Sequence, residues 1–244
     1  MPNLTQPDIV GFASTYPSGT YIDWHAHEAH QLIHAISGAM RVSLRDKLCV
    51  LPVGRALWIP ATIDHAIECA GAVRMRTAYV SPHFAELPRD VHVIVVSPLA
   101  REVLVRLAEV NEAGLKPALN DVLVHEINNS PVKAFVIPLP RHTRIARLAE
   151  ALRADPASGK TLTDWAADLG FSERNLIRRI QEETGMTFRE LRRQTRIMVA
   201  MERLVNGQAV TSVALDVGFE TPSAFIHAFR LVTGETPRQF VKSD

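Results

Sequence analysis

Ten histidines are spread unevenly along this 244-residue chain. His25, His27, His30, His34, His65, His83, His92 and His125 precede Pro140, and only His142 and His227 follow it. Imidazole titrates near neutral pH and is the commonest metal ligand, so metal or proton chemistry is to be sought in the first part of the chain. His25 and His27 are two apart, a spacing that turns both to one face of a strand. His30 and His34 are out of phase with the pair or far along from it, and are expected at the surface or behind the ligands. The cations are distributed the other way. Residues 1–140 carry 11 Lys+Arg against 13 Asp+Glu, whereas residues 141–244 carry 16 against 13, and all but Lys160 and Lys242 of those 16 are arginine. The planar guanidinium fork suits bidentate contacts to phosphate and guanine, so the second part points to nucleic acid. No nucleophile with a base and an orienting partner, no glycine-rich phosphate loop and no dinucleotide fingerprint occurs.

Two chemistries in two regions need two cores, and 27.0 kDa is enough chain for two domains of ordinary size. The 47% hydrophobic and 22% charged content is that of a globular protein. The longest run without Asp, Glu, Lys or Arg is 14 residues, 9–22, short of the roughly 18 apolar residues of a membrane helix. Residues 1–8 show no basic stretch leading into an apolar one, so a cytoplasmic protein is expected. Cys49 and Cys69, without metal or redox spacing, are expected as reduced, buried thiols.

Residues 11–97 read as short strands, for example over 31–36, 40–44, 56–59, 65–69 and 74–80. Ser37-Gly38, Pro52-Val53-Gly54 and Ala70-Gly71 stand between them as turns. Many short strands suggest a β-sandwich or barrel. Trp24, Trp58, Tyr79 and Phe12 lie near the histidines and are expected mainly as core. From Leu99 the period becomes helical, through Val103, Leu104, Leu107 and Val110, with Gly114 as the stop and a second helix after Pro117. The apolar stripe of the first helix serves either a dimer contact or the chain's own sheet. Turn formers from Asn128 to Pro140 mark a linker, and helices are expected beyond it.

An internal repeat organises the last hundred residues. Leu162, Ala166, Gly170-Phe171-Ser172, Leu176, Ile180, Gly185 and Thr187-Phe188 recur as Val210, Ala214, Gly218-Phe219-Glu220, Phe225, Phe229, Gly234 and Thr236-Pro237. The offset is 48 residues up to the Gly-Phe pair and 49 after it. In each copy a short helix stops at a glycine and another starts two or three residues on, which is a helix-turn-helix. Ser172 and Thr221-Pro222 are natural starts, and Thr187 with Glu190 and Thr236 with Gln239 have capping-box spacing. The stretch 188–205 then reads as one helix joining the units, packing through Leu191, Ile197, Ala200, Met201 and Leu204. With Leu176 and Ile180 turned inward, Arg174, Ile177 and Arg178 share the outer face. Shifted by 49 residues, Arg174 and Arg178 become Ser223 and His227, so Pro222, Ser223, Ala224, Ile226 and His227 form the corresponding face. Arginine reads guanine while small apolar residues meet thymine methyls, so unlike half-sites are expected.

The Gly-Phe-Ser and Gly-Phe-Glu-Thr-Pro-Ser-Ala-Phe turns, the connecting Arg196, Ile197, Ala200 and Leu204, and the closing Gly234 to Phe240 resemble the DNA-binding domain of AraC/XylS-type bacterial transcription regulators over roughly residues 142–242. The resemblance implies that both second helices enter successive major-groove segments, with Arg174, Ile177, Arg178, Pro222, Ser223, Ala224, Ile226 and His227 at base-reading positions. His227 stands where many relatives have arginine. In the first part, Gly19, His25-Ala-His27, Gln31 and Gly38, followed by Gly54, Pro60 and His65, resemble the two motifs of the cupin β-barrel. That family's ligand set implies metal at His25, His27 and His65, with Gln31 in place of the usual carboxylate. The site then holds a divalent zinc, nickel or iron, binds an organic effector through its histidines, or keeps them for structure.

The expected fold is α+β and multidomain: a cupin-like barrel for effector sensing over 1–97, connecting helices and linker over 98–140 with a role in dimerisation, and an all-α double helix-turn-helix domain over 141–244. The expected function is operator binding under the control of a small molecule or metal, without catalysis. Expected partners are double-stranded operator DNA, the effector, RNA polymerase and a second copy of the chain, with no membrane. A metal-dependent cupin enzyme with a helical appendage is the alternative, to be told apart by catalysis without DNA binding.

Overall fold

A computed structural model of the chain describes residues 4–109, 114–130 and 136–241. They fall into two units, one drawn from Met1–Leu44 and Leu51–Ala134, the other from Arg45–Val50 and Phe135–Lys242.

β-branched and aromatic residues between turn formers build the strands in chain order: β1 (Ile9–Tyr16), β2 (Tyr21–His25), β3 (His30–Leu44), β4 (Lys47–Leu51), β5 (Arg55–Ile59), β6 (His65–Val80) and β7 (His92–Val95). In the first unit β6 is the spine. It pairs antiparallel with β1 from Ile9↔Val80 to Tyr16↔Val73, with β3 from His30↔Val80 to Leu44↔His65, and with β2 at Ile22↔Ile67 and His25↔His65. β5 extends the sheet from β3, and β7 from β5.

The turns expected at Ser37-Gly38 and Ala70-Gly71 do not end strands. β3 and β6 run through them, with register shifts on either side of Ser37. The two breakers face each other across one antiparallel pair, at Ala39↔Ala70, so both strands bend at a bulge and pairing resumes. A one-strand reading cannot see that alignment. The turn at Pro52-Val53-Gly54 does separate β4 from β5.

Two helices, α1 (Pro98–Glu109) and α2 (Lys116–Asn129), cover one face of the sheet. Val103, Leu104 and Leu107 of α1 and Leu123 and Ile127 of α2 pack on Ile9, Leu32, Ala56, Trp58, Ala78, Val80 and Ile94. The apolar stripe of α1 is therefore spent on the chain's own sheet, which removes Leu107 as an exposed dimer anchor. Leu99, placed on that stripe by its spacing, is 55% exposed, and Val110 lies outside the described residues. α1 crosses β1 at Gly11, where a Cβ would stand 2.5 Å from the Leu107 carbonyl carbon, so only glycine allows the approach. Of the expected linker, Asn128 and Asn129 finish α2, and residues 131–135 lie outside the described residues.

In the second unit β8 (Val136–Pro138) pairs with β4 at Leu48↔Ile137, so the end of the expected linker is a strand. The helices are α3 (Thr143–Ala154), α4 (Leu162–Leu169), α5 (Glu173–Thr184), α6 (Phe188–Val205), α7 (Val210–Asp216), α8 (Pro222–Thr233) and α9 (Pro237–Val241). Ser172, Thr187 and Thr221 cap α5, α6 and α8 through their side-chain oxygens, and Thr187 with Glu190 closes a full capping box. Gly170 (φ 65°) and Gly218 (φ 85°) take the left-handed conformation that the two turns need. Gly218 is further constrained, since a Cβ there would lie 2.7 Å from the Ala157 Cα. Leu191, Ile197, Ala200, Met201 and Leu204 of α6 are buried, and α6 contacts α3, α5, α7, α8 and α9.

Candidate metal centre and DNA-reading faces

His25 ends β2, His65 opens β6 opposite it, and His27 lies two residues beyond β2. Ring centroids are 4.3 Å apart for His25 and His65, 5.2 Å for His27 and His65, and 5.9 Å for His25 and His27. One nitrogen from each lies within 4.8 Å of the others, as coordination of a single divalent ion requires. His27 and His65 are buried and His25 is half-buried, which leaves the cluster approachable from the His25 side.

The backbone sets the tautomers. Nδ1 of His25 is 2.7 Å from the Asp23 carbonyl, Nδ1 of His27 is 2.8 Å from that of Ala29, and Nδ1 of His65 is 3.0 Å from that of Ile63. A carbonyl only accepts, so each ring donates Nδ1–H and keeps a lone pair on Nε2. Nε2 of His65 is fully buried and has no partner among the described residues, an arrangement that costs free energy unless a cation or a donor fills it. Burial, above all, pushes the His65 pKa down to about 4, helped by the neighbouring His25 and His27, so the ring is neutral and ready to ligate at pH 7.

Gln31 joins the site from β3, with Oε1 2.9 Å from His27 Nε2 and its amide nitrogen 3.4 Å from the Tyr79 hydroxyl. Two acceptors at 2.9 Å repel unless a cation lies between them or the amide turns its NH₂ to the ring. Gln31 is thus a neutral donor to His27 or a carbonyl ligand beside it. Tyr79 packs edge-on to His27 and Phe12 and so belongs to the site wall. Trp58 is core on the other face, while Trp24 and Phe12 are each 43% exposed.

His30 and His34 do not join the cluster. His30 stacks on Trp58, and its Nδ1 accepts the Ala61 N–H at 2.9 Å. His34, expected at the surface or behind the ligands, is 1% exposed and faces the helices, because three strand positions separate it from Gln31.

In the second unit Arg174, Ile177 and Arg178 lie on the exposed face of α5, opposite the buried Leu176 and Ile180. Ser223, Ala224, Ile226 and His227 are exposed on α8, Pro222 is half-buried at its start, and Phe225 and Phe229 turn inward. Arg178 pairs with Glu182 at 2.7 Å, both about half exposed, a surface bridge weak enough to yield to DNA. Two supports escaped the sequence reading. Thr161 and Asp164 form a capping box on α4, whose spacing was visible, and Arg144 of α3 donates to the Leu169 and Gly170 carbonyls at 3.2 and 3.3 Å, for which no local signal exists.

Family models place these sites among known proteins. A model described as a helix-turn-helix domain matches residues 165–243, and one described as a cupin domain matches residues 12–81. The HTH-type transcriptional regulator NimR of Escherichia coli is 30% identical over 223 residues, covering 89% of this chain and 81% of that protein. The HTH-type transcriptional activator RhaR of Cronobacter sakazakii is 26% identical over 263 residues, covering 96% and 90%. Among solved structures, ToxT from Vibrio cholerae matches 96% of this chain and 98% of its own at 13% identity, with a TM-score of 0.42.

Proposed function

Because the chain belongs to the AraC/XylS-type helix-turn-helix transcriptional regulators with an N-terminal cupin-like domain, we propose that α5 and α8 read two unlike half-sites of one operator under the control of the His25, His27 and His65 cluster. The chain is a DNA-binding regulator, and its relatives over nearly the whole length are regulators rather than catalytic cupins. Arg174, Ile177 and Arg178 read the first half-site, and Pro222, Ser223, Ala224, Ile226 and His227 the second. The observation that carries this reading is the repeat itself, since two capped second helices leave the corresponding residues exposed.

Sensing falls to residues 1–97 as a cupin-like barrel, connection and dimerisation to 98–140, and DNA binding to 141–244. The three histidines fit a divalent ion, with one nitrogen of each within 4.8 Å of the others and the buried His65 Nε2 without a partner among the described residues. A bound ion supplies a Lewis-acidic point for an effector's oxygen or nitrogen, with Gln31 and Tyr79 beside it. Control requires that the ligand bind two arrangements of the protein differently. The chain acts in the cytoplasm as a homodimer and works through RNA polymerase.

Selection from random duplex DNA with the purified full-length protein tests the reading. One enriched motif is expected, its two unlike halves about 10 base pairs apart, the spacing of successive major grooves on one face. Failure to enrich any sequence, with or without zinc, nickel or iron, would overturn it.

A further inference from the structure

The helix-facing side of the sheet carries a cavity. It has a volume of about 440 Å³ and is lined by His34, Gly54, Ser97, Arg101, Glu102 and Val105, among others. That is the size of a small-molecule site. His34 and Gln31, which sits beside the histidine cluster, lie on opposite faces of β3, so this cavity is separate from that cluster.

His34 sits in its wall, 1% exposed. Its Nδ1 lies 3.0 Å from the Arg55 carbonyl and therefore donates, which leaves Nε2 as an acceptor. That Nε2 is buried and has no hydrogen-bond partner among the described residues. The ring is neutral at pH 7, its pKa pushed down to about 4 by burial first and by the charges of Arg101 and Arg76. A ligand must therefore bring a donor to this nitrogen.

Two lining cations bring charge to the site: the exposed Arg101, and the buried Arg55, whose guanidinium donates to the Gly54 carbonyl at 3.1 Å. Arg76, opposite His34 on β6, is held by Glu109 at 3.0 Å, and Glu102 is engaged by Arg106 at 3.5 Å. No carboxylate among the described residues pairs with the exposed Arg101 side chain. The start of α1 contributes little, because Pro98 has no N–H and the Ala100 N–H is already bound by Ser97 Oγ at 3.0 Å.

We infer that this cavity is a second ligand site, for a small oxyanion carrying its own O–H, such as a hydroxycarboxylate or hydrogen phosphate, with the negative group against Arg101 and the O–H donated to His34 Nε2. This goes beyond the histidine cluster and does not depend on metal there. A plain carboxylate or sulfate satisfies Arg101 and leaves Nε2 unpaired, so the site discriminates by the missing donor.

Calorimetric titration of the full-length protein with glycolate against acetate, and with phosphate against sulfate at pH 7, tests it. Glycolate or phosphate is expected to bind at least about tenfold more tightly than its partner without an O–H, which is the weight of one hydrogen bond to a buried acceptor. Nitrogen-15 spectra of the imidazoles should show His34 Nε2 moving with that ligand. Arg101→Gln, a change at an exposed position, should weaken binding at least about tenfold and leave the melting temperature unaltered. Equal affinity within each pair, a silent His34 Nε2, or binding that survives Arg101→Gln would each overturn the inference, as would no heat from either probe at 10-fold millimolar excess, roughly the limit of a weak site.

Discussion

His25, His27 and His65 share one local device: each ring gives its Nδ1–H to a carbonyl two residues away and keeps its lone pair on Nε2. The fixed tautomer suits them to ligate a metal ion. Purified, untagged protein should carry about one zinc, nickel or iron per chain, and His65→Ala should lose it, as elemental analysis would report. On α5, Arg178→Ala should weaken binding to the selected operator by about 1–3 kcal/mol while leaving stability nearly unchanged, since its bridge to Glu182 is exposed. Gel shift and thermal denaturation would separate the two effects. His34 predicts an acid sensitivity. Its folded pKa of about 4 lies below the unfolded 6.5, so between those values the unfolded chain binds more protons and stability falls as pH is lowered. Melting of the protein between pH 7 and 4.5 should show that fall with proton uptake on unfolding; unfolding without uptake would contradict it.

Among the elements, α1 illustrates how a stripe legible in sequence can have two uses. Its period was plain, yet Leu107 could face a second copy or the chain's own sheet until Gly11 let the helix backbone settle on β1. Leu107→Ala should therefore destabilise the fold by about 2–5 kcal/mol in denaturant titration, as loss of a core leucine does. Gly11→Ala should lower the melting temperature as well, because the added Cβ meets backbone that cannot rotate away. The helical repeat was more legible than the sheet. Its caps and stops act within a few residues of their own position, whereas the continuity of β3 and β6 through Gly38 and Gly71 depends on a partner about 30 residues away.

For the whole molecule, the proposed control predicts that the histidine cluster changes operator affinity. Metal-loaded protein and His65→Ala should therefore differ in operator affinity, by about 5–150-fold if the coupling has the usual size of 1–3 kcal/mol. Equal affinities at fixed salt would leave the cluster without a regulatory role. The comparison must hold salt constant, because arginine–phosphate contacts alone make affinity fall steeply with ionic strength.

The sequence by itself determined which residues could do chemistry and the local order of the second unit. The spacing of His25 and His27 marked one site, although His27 lies beyond the end of β2, and Gly170, Gly218, Ser172 and Thr221 mark helix ends through hydrogen bonds made within a turn. Only the tertiary structure decided what those residues meet. It brought His65 to His25 across an antiparallel pair, set Gln31 and Tyr79 beside His27, sent His34 to the opposite face, and turned the stripe of α1 inward. The physical reason is range: capping and periodicity act between near neighbours in the chain, while burial and strand pairing join residues that sequence distance keeps apart.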